Sequence, residues 1–207
     1  MVFHDQRPIE PLRVVSIDPG TETMGVSLLG LDPITLNQSF MEAFTMRGSI
    51  VNYYWGNVLY DGFARDSRLL ALEDQLVNYF QRVQPHVVVY EDNYLGASPQ
   101  SFKALIEACM CIKHAIWRYN PYLESYAVKP NQAKSTVNAI PKRGMDQHTR
   151  KELVRQGLMA YPILRVPPEI LMGLDEHSVD SVAIGAYALQ ELSNQIILGQ
   201  WRMPCHR

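Results

Sequence analysis

Short apolar runs alternate along this chain with segments of helical period. Leu12 to Asp18 (LRVVSID) is rich in β-branched residues and is stopped by Pro19-Gly20. Gly25 to Leu31 (GVSLLGL) follows closely enough for the two to pair as a hairpin. A third strand is expected within 34–46, while the rest of 34–58, including Tyr53-Tyr54-Trp55, shows no clear period. From Asp66 to Phe80, Leu69, Leu72, Leu76, Val77 and Phe80 recur at helical spacing. Pro85 then introduces the clearest buried strand, His86-Val-Val-Val-Tyr90, which ends at Glu91-Asp92.

Ser98-Pro99 is a helix start, with serine as N-cap and proline in the first turn. The helix it opens runs to about Tyr119 and is apolar on more than one face (Phe102, Leu105, Ile106, Cys109, Met110, Ile112, Ile116), which suits burial or dimerisation. Phe102 is assigned to the core. A strand over 122–128, a helix from Lys129-Pro130 to about Asn138, a loop over 139–146 and a helix to about Ala160 come next. Residues 162–168 read as loop, and a last helix spans about Glu176 to Ile197. This order predicts one α/β sandwich with a mixed sheet over 1–195 and a tail over 196–207, without repeats or linker.

Composition supports a globular protein: 207 residues, 47% hydrophobic and 19% charged. The formal net charge of −2 argues mildly against nucleic-acid binding if charge is spread evenly. It is not. Between Lys129 and Arg155 stand Lys129, Lys134, Lys142, Arg143, Arg150, Lys151 and Arg155 against only Asp146 and Glu152. Such a run is either a solvated helical face or a phosphate-tracking surface; Lys142-Arg143-Gly144, in a loop with nothing local to neutralise it, favours the second. Three cysteines (Cys109, Cys111, Cys205) lack a metal spacing and are read as reduced thiols, and no apolar run reaches the ~20 residues of a membrane span. A soluble protein of a reducing compartment, the cytoplasm or that of a host, is expected.

Three acids stand where a sheet would present them together. Asp18 closes the first strand, Glu91 closes the buried strand, and Asp180 lies in the first turns of the last helix. Residues just beyond strand ends line the ligand crevice of α/β sheets. A carboxylate straight after an apolar run is costly to bury unless something positive compensates it, and Mg²⁺ suits a few carboxylates with water and phosphate oxygens. Asp18-Pro19-Gly20 is equally the composition of a plain turn, and Asp180 equally that of an acid favouring a helix N-terminus.

Val14-Val-Ser-Ile-Asp18-Pro-Gly-Thr21 with Gly25-Val26 resembles the opening of the RuvC family of Holliday-junction resolvases. Val87-Val-Val-Tyr-Glu91 resembles that family's second acidic strand, and Tyr94 falls where it carries a stacking aromatic. Pro130-Asn-Gln-Ala-Lys134-Ser-Thr136-Val resembles its Pro-x-Gln-x-Lys-x-x-Val stretch, and His177-Ser-Val-Asp180 its last motif. Four motifs in family order cover most of residues 12–190, with departures at 32–64 and 139–149 that suit a divergent, phage-type or other, member.

The resemblance implies an RNase H-like three-layer sandwich with a central mixed five-stranded sheet. It also implies a Mg²⁺-dependent endonuclease (Mn²⁺ substituting) that resolves four-way DNA junctions by paired nicks with 5′-phosphate products. Asp18, Glu91, His177 and Asp180 would hold two ions, and Lys134 would lie near the scissile phosphate. DNA would meet Tyr94, Lys129, Lys134, Lys142, Arg143, Arg150 and Lys151, with Phe102 a lesser candidate for stacking. Asp175 and Glu176 compete for the fourth ligand position, and strand alternation turns Asp92 away from Glu91. Paired nicks require two active sites, hence a homodimer across the 98–119 helix, with no small-molecule cofactor and no membrane. A flap or general branched-DNA endonuclease, an RNA-processing relative and a catalytically dead DNA-binding module are the nearer alternatives. An actin-like ATPase shares the Asp-Pro-Gly-Thr turn but needs a second domain and further glycine-rich loops.

Overall fold

A computed structural model of the chain describes residues 10–49, 64–92, 99–141 and 144–201. Five strands form one sheet: β1 (Leu12–Asp18), β2 (Thr23–Leu31), β3 (Gln38–Arg47), β4 (Val87–Glu91) and β5 (Glu124–Val128), in the order β3-β2-β1-β4-β5. The β1–β2 and β2–β3 pairs are antiparallel, and the β1–β4 and β4–β5 pairs parallel. Among the described residues there are also six helices: α1 (Ala64–Val83), α2 (Pro99–Tyr119), α3 (Pro130–Thr136), α4 (Gln147–Ala160), α5 (Pro168–Gly173) and α6 (Glu176–Ile197). The expected mixed five-stranded α/β sandwich is what the chain forms. Among the described residues no helix is long and apolar enough to cross a membrane.

β1 is buried at five of its seven positions because both of its faces are covered, as parallel pairing with crossover helices requires. Alternation along the central strands sorts their side chains into two cores. Val15, Ile17, Met24, Val26, Val88 and Tyr90 pack against α1 and α2. Leu12, Val14, Leu29, Leu31, Val87 and Val89 pack against α6, with α3, α4 and α5 outside it. By the same alternation Ser16, Asp18, Gly25, Ser27 and Glu91 share the α6 face.

α6 is buried almost all round, carries Gly185 at its middle and lies unusually close to the sheet. A methyl group at Gly185 would run into the Leu29 side chain and the Ser16 hydroxyl. Ser16 and Ser27 are fully buried and hydrogen-bond each other at 2.6 Å, so the short polar side chains under Gly185 are mutually satisfied. A methyl group at Gly25 would collide with the His177 backbone carbonyl, so the first turn of α6 rests directly on β2.

Most expected elements appear within a few residues of their predicted limits. Three features differ. α5, within a stretch with little helical pattern, is held by Arg155, whose guanidinium donates to the Leu171 carbonyl and, at 3.1 Å, to that of Leu174. Arg155 therefore serves the fold and leaves the basic surface. Phe102, assigned to the core, is only half-buried, because the buried side of α2 begins at Ala108. β3 runs on to Arg47 and carries a bulge opposite Leu28/Leu29, where Glu42 and Phe40 pair and Met41 is the extra residue.

Gly185→Ala should lower stability by roughly 1–3 kcal/mol through overpacking, read as a lower urea midpoint with unchanged slope. Ser16→Ala in the same chain should recover part of the loss. An unchanged midpoint for Gly185→Ala would contradict the packing described.

Candidate active site

The ends of β1 and β4 and the start of α6 meet at one edge of the α6-side core. Asp18 is the last residue of β1 and sits opposite Gly25 of β2, which in turn sits opposite Thr45 of β3. Ile17 is in register with Tyr90 of the parallel neighbour, so Glu91 follows beside Asp18. Asp180 projects from the second turn of α6, and His177 stands one turn before it. Sheet register thereby sets Asp18 beside Glu91, and the start of α6 adds Asp180.

α6 begins at a defined point because Asp175 is its N-cap: the Asp175 carboxylate accepts from the Ser178 amide at 2.9 Å and from the Thr45 hydroxyl at 2.6 Å. Burial works against this carboxylate, but the hydrogen bonds from Thr45 and Ser178 keep its pKa below the ordinary value. That use gives Asp175 a capping role at the start of α6. α3 is tied to α6 by Gln132, whose side-chain amide donates to the Tyr187 hydroxyl at 2.7 Å while its carbonyl accepts from the Lys129 amide at 3.0 Å. Lys134, in the last turn of α3, thus lies within electrostatic reach of both Glu91 and Asp180.

The site is electrostatically crowded. Burial, then the neighbouring Asp18 carboxylate, pushes Glu91 up to about 7; Asp180 adds to this, and Lys134 opposes it. Burial and Asp18 likewise push Asp180 up to about 6, against Lys134 and His177. His177 Nδ1 lies 2.8 Å from Asp18 Oδ2, and this hydrogen bond raises the imidazole pKa despite partial burial. Among the described residues no three His, Cys, Asp or Glu side chains are arranged to hold a metal ion as they stand. The donor set nonetheless fits a divalent cation. Three oxygen-bearing acids, two of them (Glu91 and Asp180) with ionisation suppressed by burial and by the Asp18 carboxylate, are what a hard cation would relieve.

The cysteines take no part. Cys109 and Cys111 are buried, hydrogen-bond to the carbonyls of Glu91 and Leu69, and have thiols pushed up to about 12 by burial. Asp92 lies on the α2 side, where it acts on Cys109 and Tyr90, in agreement with strand alternation. Of the basic residues proposed to meet DNA, Lys129 and Arg150 are exposed, and Lys151 lies on α4. Tyr94, Lys142 and Arg143 fall outside the described residues. Thr45, Ser16, Ser27 and Gly185 were not singled out from sequence. The available signal was hydroxyl residues within apolar strands and a glycine within a helix, both marks of close approach.

No family model matches the chain, and no curated protein matches it in sequence. Solved structures do match in fold. Thermus thermophilus RuvC in complex with a Holliday junction substrate superposes with a TM-score of 0.58 at 16% identity, over 91% of this chain and 98% of that one. The yeast mitochondrial Holliday junction resolvase Ydc2 gives 0.57 at 14% identity, over 93% of this chain and 84% of that one. Fowlpox virus resolvase with junction DNA gives 0.53 at 14% identity, over 87% and 99%. The chain therefore has the RNase H-like fold of the RuvC-type resolvases, as the motif order implied.

The suppressed carboxylates set a pH dependence. Unfolded Glu91 ionises near 4.5 and folded Glu91 near 7, so the folded state keeps a proton that the unfolded state has lost. Stability without divalent ions therefore falls as pH rises from about 4.5 to about 7, and the loss is complete above that; Asp180 and His177, also raised, act in the same direction. In chelator at pH 8, Glu91→Gln should be more stable than the parent by on the order of 2 kcal/mol, an advantage that vanishes near pH 4 and shrinks when Mg²⁺ is added. Chemical denaturation at the two pH values measures it; a Gln variant less stable at pH 8 contradicts the crowding.

Proposed function

We propose that this chain is a Mg²⁺-dependent endodeoxyribonuclease that resolves four-way DNA junctions. The observation that carries the proposal is the gathering of Asp18, Glu91 and Asp180, with Lys134 beside them, at one sheet edge of the RuvC-type fold. Asp18, Glu91, Asp180 and His177 would hold the cations, two per site and replaceable by Mn²⁺. When bound, these supply an activated water and a Lewis acid for the leaving oxygen.

The residues themselves do the rest. Before a cation binds, Asp18 joins β1 to α6 through His177. The Lys134 ammonium places positive charge where a phosphate group would approach Glu91 and Asp180, favouring an anionic substrate over the bare carboxylates. The His177 imidazole, held through Nδ1 by Asp18, keeps its other ring nitrogen for a ligand or for a proton leaving with the 3′-oxygen. Lys129 at the start of α3 and Arg150 on α4 are exposed and extend the basic character outward, and Lys151, Lys142, Arg143 and Tyr94 are further proposed DNA contacts. Hydrolysis would leave a 5′-phosphate and a 3′-hydroxyl.

Two opposed nicks require two copies of the site. The outer face of α2 supports a homodimer: Ile106 and Met110, one turn apart, and Trp117 further along are 38%, 37% and 51% exposed, apolar positions for which a second copy of the same helix is the self-complementary cover.

Asp18→Asn should lower the junction cleavage rate by about 10³-fold or more with Mg²⁺ present, while junction binding in Ca²⁺ or chelator persists. The parent chain should cut four-way junctions faster than flaps, Y-forks or RNA. Equal or faster cutting of flaps or RNA assigns one of those substrates instead, and an active Asp18→Asn chain removes the proposed site. Met110→Glu should convert dimer to monomer in sedimentation and uncouple the two nicks; a variant that stays dimeric places the interface elsewhere.

A further inference from the structure

Thr45 lies far in sequence from every proposed ligand, on the strand at the opposite side of β2 from Asp18. Register nevertheless puts Thr45, Gly25 and Asp18 in one row across β3, β2 and β1. The first turn of α6 lies along that row and touches all three positions. At Asp18 it is held by His177 Nδ1, at Gly25 its His177 carbonyl rests on the backbone, and at Thr45 it is tied by a small ring of hydrogen bonds. The Thr45 hydroxyl donates to Asp175 Oδ1 at 2.6 Å, and the same oxygen accepts from the Ser178 amide at 2.9 Å. With its one proton so used, Thr45 accepts from the Ser178 hydroxyl, 3.0 Å away, and Ser178 is 2% exposed.

We infer that Thr45 is a positioning residue of the site, fixing the first turn of α6, which carries His177 and leads into the turn of Asp180, against the strands that carry Asp18 and Glu91. The inference rests on the metal-site reading above. An ordinary N-cap would require only Asp175 and the Ser178 amide; it joins α6 to nothing. The Thr45 hydroxyl adds a bond from the sheet to that cap. It does so without using Asp18, Glu91, Asp180 or the His177 ring. A cation held by Asp18 would compete with His177 for the Asp18 carboxylate, whereas the Thr45 ring uses none of the proposed ligand atoms. Thr45 is then the polar anchor that holds Asp180 at the height of Asp18 and Glu91 while the site is loaded.

The test compares Thr45→Val, which keeps the shape and removes the hydroxyl, with Thr45→Ser, which keeps the hydroxyl, and with Val154→Ala, which opens the core at a distant residue of α4 that is 3% exposed. Mn²⁺ affinity is read by calorimetry, and the Mg²⁺ half-saturation of junction cleavage is read alongside it. Thr45→Val should weaken both by about tenfold, Thr45→Ser should restore both to within about twofold of the parent, and Val154→Ala should lower the melting temperature without moving either. If Thr45→Val is insoluble, Ser178→Ala, which removes another hydroxyl of the ring, should shift both in the same direction. Parental Mn²⁺ affinity in Thr45→Val, or an equal affinity loss in Val154→Ala, overturns the inference. A parent that binds Mn²⁺ but cuts no junction overturns the substrate proposal and leaves the Thr45 comparison decided by calorimetry; a parent that binds no Mn²⁺ overturns both.

Discussion

The structure depends on how closely one helix approaches one sheet. α6 lies over β1 and β2 at a distance that only glycine permits at Gly25 and Gly185, and the hydroxyls of Ser16 and Ser27 satisfy one another in the narrow space beneath. Packing at native density leaves little play in such a contact, so the helix has one height and one axial position. Everything placed on its first two turns inherits that precision. Asp180 and His177 reach the level of the strand ends because the helix that carries them rests on the backbone of β2.

The same closeness creates the electrostatic problem that the site must solve. Asp18, Glu91 and Asp180 are brought together in a half-buried corner where solvent screens them poorly, and Glu91 and Asp180 respond by holding protons up to about 7 and about 6. Lys134 and His177 offset part of the repulsion, Lys134 by its nearness to both carboxylates and His177 by bonding Asp18. Neither neutralises all three acids. A fold gains nothing in stability from this arrangement, since apolar side chains of the same size would pack there without charge. The arrangement makes sense as a binding site for positive charge, and the oxygen-rich donor set suits Mg²⁺ or Mn²⁺ better than a soft metal.

Much of this was legible in the residues. β1, β2 and β4 announce themselves as short apolar runs, and Asp18, Glu91 and Asp180 stand at strand or helix ends, where carboxylates gather. The remainder was hidden for physical reasons. The role of Thr45 comes from sheet register across three strands, which no local pattern encodes. Arg155 looks like one more base in a basic run, yet its guanidinium closes the carbonyls of a short helix that has almost no period of its own. Phe102 sits on the apolar spacing of α2 but before the point where that helix meets the core. Asp175 and Asp180 are alike in sequence; only the Thr45 and Ser178 hydrogen bonds show that one is a cap and the other stands free of that duty.

The central claim is that docking α6 on the sheet builds a divalent-cation centre from Asp18, Glu91 and Asp180. Crystals soaked in Mn²⁺ and measured at its absorption edge test this most directly. The account predicts anomalous density between the β1 and β4 ends and the second turn of α6, with the His177–Asp18 hydrogen bond rearranged. Saturating Mn²⁺ that leaves this corner empty and the His177–Asp18 pair unchanged would contradict it.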